Sequence, residues 1–242
     1  MSDVLHRLEL LCRRHMRLLN PWGGRVVGWK KNSQGLRGHH NPKGWAVISG
    51  VVCKDGKPLY DTPMIVENAG SIIIALMGDK IGLIQNYRMV GPRLLSDAFS
   101  KYIEMLQQNK LWRKLAASLG RWCWEAPKGL IHEDMQGATL EEFVLRTAGK
   151  EAMQEAGLGL ANARAIGTVN ANPTFFAHAQ YVVFAEIVSV GTASPENLEI
   201  IGRMQLFTLA ELRQLNLEGQ FDDGLTLAAM ALCGLSLPTD LD

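Results

Sequence analysis

Apolar positions recur along this chain with two periods, and the switches between them mark its elements. Over residues 3–19, Val4, Leu8, Leu11 and Leu18 recur at helical spacing between charged residues, which predicts an amphipathic helix. Residues 20–43 carry Pro21, Gly23, Gly24, Gly28, Gly35, Gly38 and Pro42 and read as loop or extended chain. From Trp45 the pattern becomes that of strands. Residues 45–53 and 59–67 flank Lys54-Asp55-Gly56-Lys57, and Asp-Gly between extended runs predicts a hairpin. The unbroken apolar run 71–77 predicts a buried strand, with a turn at 78–80 and a returning strand over 81–87. Residues 98–107 and 111–119 have helical composition, with Met105, Leu106, Leu111, Leu115 and Leu119 apolar, so a helical hairpin is expected within 92–120. Further on, 165–169 and 181–188 read as strands flanking 170–180. Residues 204–207 then read as a strand, and 209–215 and 225–232 as closing helices.

The segment with most chemical content is a helix expected over 139–156. Thr139 is its N-cap, with Glu142 at the capping-box spacing, and Gly157 is its stop. Glu151 and Glu155, four apart, project from one helical face one turn apart. A hard divalent ion such as Mg2+ takes one or two protein carboxylates and fills its other positions with water and phosphate oxygens. Taken alone, two glutamates at this spacing more often belong to a solvated face.

Context decides between the two. Lys150-Glu151-x-x-Gln154-Glu155-x-Gly157, preceded by Trp124-Glu125-Ala126-Pro127-Lys128-Gly129-Leu130, resembles the signature of the Nudix hydrolases, GxxxxxE, seven residues, then REUxEExGU with U aliphatic. Lys150 stands for the family's Arg and Gln154 for the first Glu of its pair, and 21 residues separate Gly129 from Glu151 where the signature has 14. Glu142 stands at the distance of the loop glutamate from Lys150, while Gly137-Ala138-Thr139-Leu140-Glu141-Glu142 equally mimics the family's helix opening with an extra turn behind it. Both registers leave Glu151 and Glu155 at the family's metal positions. Asn86-Tyr87-Arg88 and Pro173, sixteen residues past Gly157, are similar to features of the ADP-ribose pyrophosphatase branch, whereas Pro127-Lys128-Gly129 is closer to the dinucleoside-polyphosphate branch. His178 occupies the position of the catalytic loop glutamate of the ADP-ribose pyrophosphatase branch.

The resemblance implies an α/β fold of the Nudix kind, a mixed sheet sandwiched between helices over residues 45–242, with an N-terminal helix and basic arm at 1–44. It implies hydrolysis of the pyrophosphate of a nucleoside diphosphate linked to another group, ADP-ribose or a nucleoside diphosphate sugar foremost. It further implies Mg2+ or Mn2+ held by Glu151, Glu155 and the backbone carbonyl of Lys128, with catalytic roles for Glu151, Glu155 and His178. Arg88, Lys128 and Phe175 would contact substrate, Lys150 would orient the glutamates, and a homodimer is expected. Residues 92–120 would serve substrate choice or dimer contact. The alternative is a Nudix-fold protein that binds a nucleotide or a protein without turnover, because Gln154 and His178 each remove a carboxylate. An imidazole can replace a carboxylate as general base near neutral pH.

Composition adds little to this. At 242 residues one main domain is expected, and a formal charge of +1 says nothing about partners. The nine basic residues between Glu9 and Asp55 come with no nucleic-acid motif or aromatic ladder, so no nucleic-acid partner is expected. Cys12, Cys53, Cys123 and Cys233 are scattered without ligand or disulfide spacing, which suits a reducing cytosol. The charges within 4–19 rule out a spanning segment there, and no membrane association is expected.

Overall fold

The computed structural model describes residues 25–28, 46–54, 57–66, 69–88, 97–111, 121–131, 139–172, 176, 179–195 and 200–239. Contacts divide the chain into two units, residues 1–69 with 170–179, and residues 70–169 with 180–242. In the first unit β1 (Arg25–Gly28), β2 (Ala46–Lys54) and β3 (Lys57–Val66) form an antiparallel sheet in the order β1-β2-β3. Pairing of Lys54 with Lys57 closes the hairpin expected at Asp55-Gly56, although those two residues lie outside the described set. The glycine-rich arm was expected to be loop or extended chain. It contains strand β1, which pairs Arg25 with Val51 between its flanking glycines.

The second unit is built on β4 (Gly70–Met77), β5 (Lys80–Arg88), β6 (Arg121–Glu125), β7 (Lys128–Leu130), β8 (Leu158–Val169), β9 (Gln180–Val190) and β10 (Ile201–Phe207). Its helices are α1 (Asp97–Gln108), α2 (Leu140–Ala156), α3 (Leu209–Leu217) and α4 (Gly224–Leu232). The sheet runs β10-β5-β4-β9-β8, with β6 paired to β5 and β7 to β4. It is mixed, since β4 and β9 are parallel and the other pairs antiparallel. Strand β4 is apolar without alternation because both its faces are covered: Ile72, Ile73, Ile74 and Ala75 are fully buried. Ile72 and Ile74 share one cluster with Val182, Leu212, Ala229 and Met230, which places α3 and α4 on that face. By the two-residue period of a strand, Ile73 and Ala75 point to the other face, where α2 packs on β4 with Phe143, Val144, Ala148 and Ala152 buried. Each isoleucine taken out of water there stabilises the fold by about 1.5–3 kcal/mol.

Helix α2 starts and stops as its sequence indicates. The Thr139 side chain accepts from the Glu142 N–H while the Glu142 carboxylate accepts from the Thr139 N–H at 2.7 Å. Gly157 ends it in the left-handed conformation, φ +67. The stretch around Gly129, for which no strand was expected, contains two short strands, β6 and β7, separated by Ala126-Pro127. One expectation needs correction. Strand β8 was expected only over 165–169 but begins at Leu158, and a bulge at Asn162 (φ 52) with shifts of register breaks its alternation. Of the helical hairpin expected within 92–120, α1 is present with Leu106 buried, and residues 112–120 lie outside the described set. Among the described residues no helix is long and apolar enough to cross a membrane.

The cap at Gly157 yields a stability test. A Cβ there would lie 2.5 Å from the Gly191 carbonyl oxygen, and the left-handed backbone itself penalises any L side chain. Gly157→Ala is expected to lower unfolding free energy by at least about 1 kcal/mol in urea titrations, whereas Gly78→Ala, with open space around its Cβ position, loses only the backbone part of that cost.

Candidate functional site

Helix α2 buries a stripe that includes Val144, Ala148, Ala152 and Ala156, and Glu151 and Glu155 belong to it, 8% and 3% exposed. The solvated-face reading of this pair is therefore excluded. Burying two carboxylates costs several kcal/mol unless polar partners meet them, and β7 supplies such partners. The Lys128 N–H donates to Glu155 Oε2 at 2.9 Å. The Glu151 carboxyl lies against Gly129 so closely that a Cβ on residue 129 would sit 2.2 Å from Glu151 Cδ.

Beside this pair lies a third buried carboxylate that the sequence reading did not single out. Glu125, at the end of β6, is 1% exposed and is surrounded by donors. Asn86 Nδ2 donates to its Oε1 at 2.9 Å, Arg88 Nε to its Oε2 at 3.1 Å, Arg88 Nη2 also to its Oε1, and Lys128 Nζ to its Oε2 at 3.0 Å. Asn86 and Arg88, two apart on β5, face the same side of the sheet, as the strand period requires. Lys128 Nζ also donates to Asp223 Oδ2 at 3.0 Å. Asp223 in turn caps α4, accepting from the Thr226 N–H at 3.1 Å and from the Thr226 hydroxyl at 2.6 Å. Two cations thus stand among four carboxylates. Burial works against the charge of Arg88, but its bonds to Glu125 and the fields of Glu125, Asp223 and Glu155 outweigh that and hold it above its ordinary value. Burial likewise works against ionised Asp223. The Lys128 charge and the Thr226 hydrogen bonds outweigh it and hold Asp223 below the usual carboxylate range.

The structure brings Glu151, Glu155, Lys128 and Arg88 together around the β6–β7 turn. The Lys128 ammonium is engaged by two carboxylates, and Arg88, 40% exposed at its side chain, is aligned by Glu125. Lys150 is exposed. Gln154 is half-buried, and its main-chain carbonyl accepts from the Ser194 N–H at 2.8 Å. His178 and Phe175 lie outside the described residues. Glu142 stands in the first turn of α2, its carboxylate bonded to the Thr139 N–H, and nine residues of helix set it roughly 13 Å along the axis from Glu151. Among the described residues no three histidine, cysteine, aspartate or glutamate side chains converge as a metal cage. The donor set beside Gly129, two buried carboxylates one turn apart, instead suits a hard divalent ion that keeps much of its shell for water and substrate. Of the residues missed, Asp223 carried a legible sign, an acidic N-cap three residues before Thr226. Glu125 carried none, because its partners come from other strands.

No protein-family model matches the chain, and no curated protein matches it in sequence. Among solved structures, its fold is similar to that of an ADP compounds hydrolase, with a TM-score of 0.52 at 13% identity over 87% of this chain and 89% of that one. At that identity the likeness is one of fold.

Two outcomes are expected from this geometry. Gly129→Ala drives a methyl into the Glu151 carboxyl, so β7 or the glutamate has to move, at about 1–3 kcal/mol in thermal or urea unfolding. Because the folded state depresses Asp223, its contribution is complete above the ordinary aspartate value of about 3.9 and is lost as pH falls through the lower folded value. The stability gap between wild type and Asp223→Asn is therefore expected to be constant from pH 7 to about pH 5 and to shrink below about pH 4. A gap that widens in acid contradicts this.

Proposed function

We propose that this chain is a Nudix-type hydrolase that cleaves, with Mg2+ or Mn2+, the pyrophosphate of a nucleoside diphosphate linked to another group, foremost ADP-ribose or a nucleoside diphosphate sugar. The observation that carries the reading is the burial of Glu151 and Glu155 against Lys128-Gly129, since burying two carboxylates on one helical stripe is unfavourable for the fold alone. The fold likeness to an ADP compounds hydrolase supports it.

In this reading Glu151, Glu155 and the Lys128 carbonyl hold the divalent ion, which when bound offsets phosphate charge and lowers the pKa of water. The Lys128 N–H fixes one oxygen of Glu155 and so orients the other. Glu125 holds the Arg88 guanidinium by Nε and Nη2, which leaves the Nη1 edge of a half-exposed side chain to meet a phosphate or the nucleotide. His178, in the position of the family's loop glutamate, would serve as general base, and Phe175 would contact the substrate. A homodimer in the cytosol belongs to the same proposal. Gln154 favours a second reading, a protein of this fold that binds a nucleotide or a protein partner without turnover, because it leaves one charge fewer to hold a second ion.

Turnover separates the two. Incubation with Mg2+ or Mn2+ and ADP-ribose, nucleoside diphosphate sugars or dinucleoside polyphosphates is expected to release nucleoside monophosphate, read by chromatography. Glu155→Gln keeps the shape of the side chain and is expected to abolish release while the far-UV spectrum stays unchanged. Absence of release from every substrate establishes the binding reading, and an active Glu155→Gln removes Glu155 from the metal site.

A further inference from the structure

The N-terminus of α4 is tied to the β6–β7 turn more heavily than packing requires. Three consecutive residues of that turn each carry a tie: Ala126 N–H donates to Thr226 Oγ1 at 2.9 Å, the Pro127 carbonyl accepts from the Ile73 N–H at 3.0 Å, and Lys128 donates through its amide to Glu155 and through Nζ to Glu125 and Asp223. Two of these ties, from Thr226 and Asp223, come from the first turn of α4, and the Thr226 hydroxyl joins them by donating to Asp223. The cap alone does not explain an aspartate at 223, because asparagine caps a helix about as well. What asparagine lacks is the charge that faces Lys128 Nζ. Glu125 Oε2 accepts from Nζ as well, at 3.0 Å, but it also carries the bond from Arg88 Nε, so Asp223 is the carboxylate that offsets the Lys128 charge without also serving Arg88.

We propose that Asp223 is a positioning residue for the acidic pair: by clamping the Lys128 ammonium it fixes the backbone whose Lys128 amide holds Glu155 and whose Gly129 bears on Glu151. This rests on the metal-dependent reading above and extends it to a residue far along the chain. The path is short. Asp223 holds Nζ, the Lys128 main chain follows, and the amide of that residue is bonded to Glu155 Oε2. A displaced Lys128 side chain thus moves a donor of a metal-site carboxylate without touching the ion.

Mn2+ binding by the whole chain, followed by the loss of the free-ion electron paramagnetic resonance signal, tests this without reliance on turnover. Asp223→Asn is expected to weaken Mn2+ binding about tenfold or more, the usual loss when a group that orients a metal ligand is removed. Charge alone would also weaken it, so Lys128→Met decides: positioning makes binding weaker, whereas simple removal of a nearby cation makes it tighter. The double variant is expected to bind no worse than Lys128→Met, since both changes break one link. Asp222→Asn, whose carboxylate bonds Arg121 at the exposed surface, is expected to bind as wild type does. With nucleotide substrate, Asp223→Asn is expected to lower kcat more than it raises KM, and melting curves check that each variant is folded. Should Asp223→Asn lose its fold, Lys128→Met carries the test alone. Lys128→Met that binds Mn2+ as well as wild type or better overturns the inference and leaves the metal reading standing. Wild type that binds no Mn2+ overturns the metal reading, and the inference falls with it.

Discussion

A carboxylate buried as deeply as Glu125 is tolerable only inside a shell of donors, and meeting that requirement brings together the parts of the chain that matter here. Its shell draws Asn86 and Arg88 from the end of β5 and Lys128 from β7, and through Lys128 it reaches Asp223 at the start of α4. Removing one member of such a set leaves an uncompensated buried charge, which typically costs about 3–5 kcal/mol. The set therefore behaves as a unit. It fixes the ends of three strands and one helix relative to each other, and the turn that results presents Lys128 and Gly129 to the glutamates of α2.

The sheet explains why those glutamates are there to be met. Strand β4 is buried on both faces, so α2 has to lie flat against it, and Ala148, Ala152 and Ala156 permit a close approach. An apolar residue at 151 or 155 would extend that stripe at no electrostatic cost. The chain instead carries carboxylates where the stripe passes β7, and it accommodates them with an amide and a glycine. Local departure from the best core, in a fold whose other levels agree, is the usual mark of a functional site.

What could be read in the sequence was whatever depends on neighbours along the chain. The capping box of Thr139 and Glu142, the left-handed stop at Gly157, the turn at Gly78-Asp79 and the apolar run of β4 all involve residues within a few positions of each other, and all appear in the structure as read. Strands β6 and β7 did not announce themselves, because five and three residues interrupted by Pro127 show no period. The first half of β8 was hidden by small residues and the bulge at Asn162. At the site, the spacing of Glu151 and Glu155 was legible but their burial was not, since a solvated pair and a buried pair have the same pattern. The links from Glu125 to Arg88 and from Lys128 to Asp223 span 37 and 95 residues, and no local pattern encodes such pairings.

The same distinction bears on Gln154, where the chain departs from the family signature. Position 154 lies about 100° around the helix from Glu155 and about 60° from Glu151, three residues on from it, at the edge of the stripe that faces Gly129. The amide leaves the pair against β7 in place and alters the charge on its flank. Its Oε1 is buried with no hydrogen-bond partner among the described residues. A carboxylate in that place would carry a full charge where an amide leaves one oxygen unmet, and burying an unmet charge costs far more than burying a neutral acceptor. An added cation could meet that charge and make a glutamate tolerable. The glutamine is thus consistent with a chain that keeps one ion at Glu151 and Glu155 and does not gather a second at its flank, a narrower loss than the bare count of carboxylates implies.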